Sequence, residues 1–279
     1  MANVKRSDSM RHAMAKRLIL AAGLTCVWIQ VGTAKDGCSN LNYDESKVGV
    51  YTVPNPLLGK NGKQVADVAS WKSTRRNEIL RDFRDLMYGH TPELPTRLRP
   101  QVMSIRKDAV DGLATRTIVK LHLFDDSKAP QIELMVYLPN RKTAPVPMFL
   151  GLSFTGNASI DDDPTIPLPA GWMRPQERVV VNNRATEALR GTGAASWPIK
   201  LAIERGYGVA TFYYGDVESD HIEGWRDGIR GYALKLAGRT ERGPREWGAL
   251  GAWAWGLSRA MDQFRPSMLG KSSFLGTPD

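Results

Sequence analysis

Three serines lie beside glycine in patterns that could expose a nucleophilic hydroxyl. Ser153 lies in "GLSFTG", Ser258 in "GLSR" and Ser267 in "RPSMLGK". A nucleophile elbow of the G-x-S-x-G type places the serine on a sharp turn between a strand and a helix. Ser153 follows an apolar run but lacks the last glycine, which favours a buried, hydrogen-bonded serine at a strand end. Ser258 has apolar neighbours at helical spacing, which indicates a structural serine within a helix.

The histidines and acidic clusters offer a second kind of chemistry. His12 lies in the N-terminal segment, His90 in a turn after the first predicted helix, and His122 in a strand typical of a sheet edge. His221 ends "GDVESDH", whose acidic residues could hold a metal ion, although a solvated loop is the favoured interpretation. The run Asp161–Asp163 leaves a similar choice between a calcium site and a solvated loop, because no glycine-turned ligand spacing accompanies it.

Hydrophobic periodicity predicts the elements that would position these residues. A helix is predicted in "VADVASWKSTRRNEILRDFRDLMYG", ending at Gly89. Half-exposed antiparallel strands are predicted in "LRPQVMSIRKD", "LATRTIVKLHLF" and "IELMVYLP", which alternate apolar and polar residues. Strands buried on both faces are predicted in "PVPMFLGLSF" and "GYGVATFYYGD". A short helix ends at Gly206, a charged loop runs to about Arg245, and a longer helix begins at Glu246.

This order of elements predicts an α/β fold. Antiparallel strands come first, and buried strands then alternate with helices, as in an α/β sheet with an antiparallel edge. In such sheets, functional residues lie at the carboxyl ends of the parallel strands. Ser267 does not fit that arrangement, because a helix and then Arg-Pro precede it. A strand and its turn need about 8–10 residues, and that space is absent before Ser267.

The charge balance argues against a nucleic-acid-binding protein. The net charge of the 279 residues is +9. Residues 1–34 hold five basic residues against Asp8 alone, and without them the net charge is +5. The remaining excess forms no dense Lys/Arg run, whereas nucleic-acid-binding proteins cluster their basic residues.

The first 34 residues are predicted to be a secretory signal peptide. A basic stretch ends at "AKR", the apolar run "LILAAGLTCVWIQVG" follows, and Gly32 and Ala34 occupy the small-residue positions of a cleavage site. The alternative is an uncleaved N-terminal anchor, but the run is short for a membrane span. After cleavage, Cys38 is the remaining cysteine and has no partner for an internal disulfide. The mature chain is therefore predicted to be secreted or periplasmic, without a stable membrane span.

Several long stretches together resemble the bacterial glucuronoyl esterases of carbohydrate esterase family 15. They are "RRNEILRDFRDLMYGHTPELP", "MFLGLSFTGN", "RGTGAASWPIKLAIERGYGVATFYYGDVESD" and "EWGALGAWAWGLSRAMD". The resemblance extends over about residues 45–264. It implies an α/β-hydrolase fold and a serine-type carboxylic ester hydrolase without a cofactor or metal. The implied substrates are esters between (4-O-methyl)glucuronic acid on xylan and lignin alcohols of the plant cell wall.

The family's nucleophile motif, G-x-S-R-x-G-K, carries over only in part. "SMLGK" matches it at Ser267, Gly270 and Lys271. Ser267 is thus the candidate nucleophile and Lys271 a candidate substrate-binding residue. Met268 stands where the resemblance implies an oxyanion-stabilising arginine, and Arg265 stands where the first glycine is expected.

The residues after Ser267 do not supply the other members of a catalytic triad. In this fold the acid and the histidine follow the nucleophile in the chain. No His or Glu follows Ser267, and the only acidic residue is Asp279. The sequence therefore predicts a signal peptide over 1–34 and an incomplete α/β-hydrolase domain over 35–279, truncated after the helix that precedes the nucleophile strand. The alternative is an inactive remnant or a non-catalytic glycan-binding protein.

Overall fold

The computed structural model describes residues 42–141 and 145–264. The chain divides into two units, Met1–Asn55 and Pro56–Asp279. Within the first unit, the described residues form a 3₁₀ turn at Glu45–Lys47, capped by the Asp44 side chain. Every element described below belongs to the second unit.

The predicted first helix is present but interrupted by wider turns. Two α-helical segments, α1 (Val68–Ser70) and α2 (Arg76–Phe83), alternate with π-helical turns at Trp71–Arg75 and Arg84–Tyr88. Asp67 begins the stretch with a reciprocal capping box. The apolar residues of this stretch are only partly covered, since Leu86 remains 85% exposed. The helical prediction is confirmed, while its apolar face is not a core face of the described structure.

A mixed sheet with helices on both faces forms the centre of the second unit. Its five strands are β1 (Arg99–Ala109), β2 (Ala114–His122), β3 (Gln131–Pro139), β4 (Met148–Ser153) and β7 (Gly208–Tyr213). They follow the order β1-β2-β3-β7-β4. The pairs β1–β2, β2–β3 and β3–β7 are antiparallel, and the pair β7–β4 is parallel.

Short elements fill the connections. A two-stranded ribbon is formed by β5 (Val180–Val181) and β6 (Arg184–Ala185), in a segment without predicted structure. The helices after the first stretch are α3 (Asn157–Ile160), α4 (Ile199–Glu204), α5 (Ile229–Leu236) and α6 (Ala249–Asp262). 3₁₀ turns lie at Glu187–Leu189, Ala194–Ser196 and Tyr214–Asp216. Among residues 42–141 and 145–264, no helix combines the length and hydrophobicity that a bilayer span requires.

Two hydrophobic clusters pack against opposite faces of the sheet. On one face, Val119 and Leu134 join the tryptophans of α6. On the other face, Met135 joins side chains from α3 and α4 such as Ile160 and Ile203. Each face of the sheet therefore has its own helical cover, which is the layered arrangement of α/β proteins.

This covering corrects the burial predicted for three strands. β2 and β3 are buried along most of their length and are not half-exposed. β4 was expected to be buried on both faces, but it has only β7 beside it among the described strands, and its Phe149 is 59% exposed. β7 is buried throughout, as predicted, because β3 and β4 flank it and helices cover it. Burial thus follows position in the sheet more closely than it follows local hydrophobicity.

Candidate active site

The carboxyl ends of the two parallel strands bring three loops together. β4 ends at Ser153 and β7 ends at Tyr213, which are register partners. Beyond them, the rings of Phe154 and Tyr214 pack with centroids 5.2 Å apart. The Tyr213 hydroxyl donates a hydrogen bond to the Trp172 carbonyl oxygen at 2.7 Å, which holds the third loop in place. This is the edge where α/β sheets bind ligands.

Ser153 is fixed within this edge and is not available as a nucleophile. The residue is 1% exposed, and its Oγ donates to the Gly156 carbonyl oxygen at 3.1 Å. The Ser159 hydroxyl donates to the same oxygen at 2.8 Å. Gly156 has φ of 83° and ψ of 169°, a backbone region essentially restricted to glycine. The interpretation of Ser153 as a buried strand-end serine is confirmed.

Ser258 has the helical setting that its neighbours predict. It lies inside α6, and its Oγ donates to the Ala254 carbonyl oxygen at 3.1 Å, one turn earlier. It lines a cavity of about 680 Å³ together with His90. His90 Nε2 is 2.7 Å from Asp85 Oδ1, but no hydrogen bond joins His90 to Ser258 in the described part of the chain. The pair therefore lacks the serine–base contact of a nucleophilic site.

The other two described histidines make structural contacts. His122 Nε2 is 3.1 Å from Gln101 Oε1 on the neighbouring strand. The expectation that His122 lies on a sheet edge is wrong, because β2 lies between β1 and β3. The His221 ring packs against Trp172 with centroids 4.7 Å apart.

The acidic residues before His221 point to different partners and form no cluster. Asp220 pairs with Arg174 at 3.1 Å, whereas Glu218 is buried and binds Arg230 through both carboxylate oxygens. Asp216 accepts a hydrogen bond from the Glu133 backbone N–H at 3.0 Å. Within residues 42–141 and 145–264, no three His, Cys, Asp or Glu side chains are arranged to hold a metal ion. Sequence reasoning missed the burial of Glu218, although Arg230 within the apolar pattern "GIRGYAL" was an available signal.

The run Asp161–Asp163 is part of an ion-pair network around a buried arginine. Arg116 is 1% exposed and donates to Asp163 at 2.9 Å and to the Thr165 hydroxyl at 2.7 Å. Arg106 also pairs with Asp163, and Tyr137 donates its hydroxyl proton to Asp161. The Asp163 carboxylate is therefore paired with two arginines and is not free to bind a calcium ion. Asp161–Asp163 form neither a solvated loop nor a cation site.

Asp163 is expected to contribute stability that is lost in acid. Burial alone would raise its pKa, but hydrogen bonds from Thr165 and Arg116 outweigh this and lower the pKa to about 2. An unfolded aspartate has a pKa of about 3.9. Because the folded-state pKa is the lower one, the contribution is complete above about pH 4 and is lost as the pH falls toward 2. Asp163→Asn should lower the free energy of unfolding at pH 7 and flatten its decline below about pH 4.

Urea unfolding at a series of pH values measures this effect. Asp162→Asn is the matched control, because its side chain is exposed and takes no part in the arginine contacts. The control should keep the acid slope of the unaltered chain. An unchanged slope in Asp163→Asn would contradict the assignment.

Two further carboxyl groups lie at the carboxyl end of β7: Asp216, which follows β7, and Glu133, near the start of β3. Burial raises the pKa of Asp216 to about 8, and the nearby Glu133 adds to the rise. Burial likewise raises the pKa of Glu133. Sequence reasoning considered Asp216 only with the acidic residues before His221 and did not single out Glu133, because the two residues lie 83 positions apart. Ser267, Lys271 and the predicted signal segment 1–34 lie outside the described residues, so these assignments stay predictions.

The layered sheet and its parallel edge define the class of protein. A mixed central sheet, covered on both faces and carrying its loops at the carboxyl ends of the parallel strands, is the architecture of an α/β hydrolase. Sequence and structure comparisons narrow this class. No family model matches the chain.

Known proteins resemble the chain over most of its length. Carbohydrate esterase MZ0003, from an unknown prokaryotic organism, is 39% identical over 226 residues, which are 80% of this chain and 51% of that protein. The solved glucuronoyl esterase from Solibacter usitatus is 41% identical with a TM-score of 0.72, and the match covers 80% of this chain and 55% of that one. A promiscuous CE15 esterase from a marine bacterial metagenome is 38% identical with a TM-score of 0.69, and it shows the same coverage.

By sequence and fold, the chain is similar over 80% of its length to esterases of carbohydrate esterase family 15. It spans about half the length of the relatives that it matches.

Proposed function

We propose that this chain is part of a carboxylic ester hydrolase of the glucuronoyl esterase type. The observation that supports the proposal is the identity of 39–41% to esterases, together with a shared fold, over 80% of the chain. The proposed substrates are esters of (4-O-methyl)glucuronic acid in lignin–carbohydrate material. The proposed chemistry is serine-type acyl transfer, in which a base takes the hydroxyl proton and fixed donors stabilise the oxyanion.

In this proposal, Ser267 is the nucleophile and Lys271 binds the substrate. In this proposal the site lies beside the carboxyl ends of β4 and β7, which belong to the described residues. Its loops are held by the Gly156 turn and by the contact of Tyr213 with Trp172. None of His90, His122 and His221 pairs with a serine in the described part of the chain. Since no His follows Ser267, we propose that this chain by itself lacks a complete triad.

Hydrolysis of a benzyl glucuronate ester by the purified chain tests the proposal. If Ser267 attacks the ester without its triad partners, we expect slow turnover that disappears in Ser267→Ala and persists in the matched control Ser258→Ala. Turnover that survives Ser267→Ala would rule out Ser267 as the nucleophile.

The alternative is a remnant that binds glycan without hydrolysing it. If the chain shows no turnover but is still retarded by glucuronoxylan in affinity electrophoresis, this alternative is favoured over the esterase.

Export of the chain is part of the same proposal. Mass spectrometry should find Lys35 or a neighbouring residue at the mature N-terminus, and an intact Met1 would contradict it.

A further inference from the structure

A small polar pocket lies at the carboxyl edge of β7, apart from the serines considered above. Its volume is about 260 Å³. Its walls come from β2, the beginning of β3, α3, the proline-containing segment 167–170 and the residues that end β7. Lys120, Glu133, Asn157, Tyr213 and Asp216 supply its polar groups.

Two carboxyl groups face this pocket without an ion-pair partner. Asp216 uses one oxygen to accept the Glu133 backbone N–H at 3.0 Å, which leaves its second oxygen for another contact. Glu133 and Asp216 lie within electrostatic range of each other and of Lys120. In the described part of the chain, no basic group lies within 4.0 Å of either carboxylate. Two carboxyl groups placed together, with Lys120 near them but not in an ion pair, are unfavourable in the charged form unless a cation or proton joins them.

Asn157 adds a third oxygen, which is an observation independent of the two carboxyl groups. It is 3% exposed, and its Nδ2 donates to the Glu133 carbonyl oxygen at 2.8 Å. That bond fixes the amide orientation, and among the residues that the structure describes Oδ1 has no hydrogen-bond partner. Buried side-chain oxygens are nearly always paired, so an unpaired one calls for a ligand or a bound water.

We propose that Glu133, Asn157 and Asp216 bind a hard divalent cation, with Ca²⁺ as the preferred ion. All three side chains offer oxygen, which Ca²⁺ accepts in irregular sets of six to eight ligands completed by water. The absence of nitrogen and sulfur ligands argues against zinc. Two carboxylates and an amide form a weak set, and the nearby Lys120 ammonium weakens it further. The affinity should resemble that of weak calcium modules, with Kd of roughly 10⁻⁴–10⁻³ M. This site does not depend on the proposed esterase activity.

Direct titration of the full chain tests the site without an activity measurement. Calorimetry with CaCl₂ should show one binding event, and Tb³⁺ should luminesce through excitation of the adjacent Tyr213. Asp216→Asn keeps the shape and the acceptor for the Glu133 N–H, and it should weaken binding on the order of tenfold or more. Asp162→Asn is the control, because it removes an exposed carboxylate outside the pocket, and it should leave binding unchanged.

A variant that gains affinity keeps the test independent of folding. Lys120→Met removes the neighbouring positive charge and should tighten Ca²⁺ binding severalfold. Unfolding cannot produce such a gain. Absence of binding up to about 10 mM Ca²⁺, above the weakest affinity expected, would overturn the proposal. Equal affinities in the unaltered chain, Asp216→Asn and Lys120→Met would overturn it as well, since they would indicate adventitious surface binding.

Discussion

Replacing Arg230 with methionine is expected to lower the free energy of unfolding by about 3–5 kcal/mol. The Glu218 side chain has no solvent exposure, and the Arg230 side chain is 9% exposed. Arg230 Nε lies 2.8 Å and 2.9 Å from the two oxygens of Glu218, and its Nη1 also donates to the Trp247 carbonyl oxygen. Without Arg230, the Glu218 carboxylate would be buried and unpaired, which is among the most destabilising changes a core can undergo.

The same ion pair secures the loop after β7 to the helices that cover the sheet. The Trp253 Nε1 of α6 donates to the Glu218 carbonyl oxygen at 2.9 Å, and Arg230 donates to the carbonyl oxygen of Trp247, just before α6. Loss of the pair should therefore loosen the loop that carries Asp220 and His221. Urea unfolding followed by tryptophan fluorescence measures the stability change.

Arg226→Met is the matched control for this prediction. Arg226 lies four residues before Arg230 and forms an ion pair with Glu223. Both side chains of this pair are more than half exposed. Exposed pairs contribute about 0–1 kcal/mol, so this variant should change little. The double variant Glu218→Met with Arg230→Met should recover part of the lost stability, because no unpaired charge remains. A single variant as stable as the control would show that the pair does not hold the loop.

Gly156→Ala should lower the free energy of unfolding by about 2–6 kcal/mol, from two independent effects. The backbone at φ 83° and ψ 169° is unfavourable for any residue with a Cβ, by about 1–3 kcal/mol. A Cβ at this position would also come within 2.1 Å of Pro169 Cγ. Relieving such overpacking costs about 1–3 kcal/mol in displaced neighbours. Because Ser153 and Ser159 both donate to the Gly156 carbonyl oxygen, the displacement should disturb the edge at which β4 ends.

Gly206→Ala separates the backbone effect from the clash. Gly206 follows α4 with φ of 80°, and no atom lies within 4 Å of a Cβ built there. Its substitution should cost only the left-handed strain, about 1–2 kcal/mol. Thermal unfolding of the two variants compares them directly. Equal losses of stability in the two variants would show that Pro169 moves aside without penalty. Backbone strain alone would then account for the loss in Gly156→Ala.

The sequence by itself determined the strands of the main sheet and the helices α2, α4 and α6. Alternating and continuous apolar runs located the five strands of the main sheet, and Gly206 marked the end of α4 because glycine adopts a positive φ without strain. The long resemblance motifs led to the family that the comparisons support. These features are local, so they can be read from neighbours in the chain.

Local patterns failed where distant contacts decide the outcome. α5 (Ile229–Leu236) was assigned to a charged loop, because the partner that neutralises Arg230 is Glu218, twelve residues earlier and outside the helix. The burial of β2 and the exposure of β4 were also predicted incorrectly. An apolar strand is buried only where other strands and helices cover it, and that depends on strand order.

The polar residues show most clearly the difference between what local sequence patterns determine and what distant contacts decide. Sequence patterns drew attention to Ser153, Ser258 and His221, and the structure gives each of these described residues a structural partner. The pairing of Asp216 with Glu133 had no motif, because only the antiparallel pairing of β3 with β7 brings the two residues together. Residue types and helical or strand periods are set by the chain, whereas the partner of a buried charge is set by folding, since its desolvation must be offset by a group that can lie anywhere in the sequence.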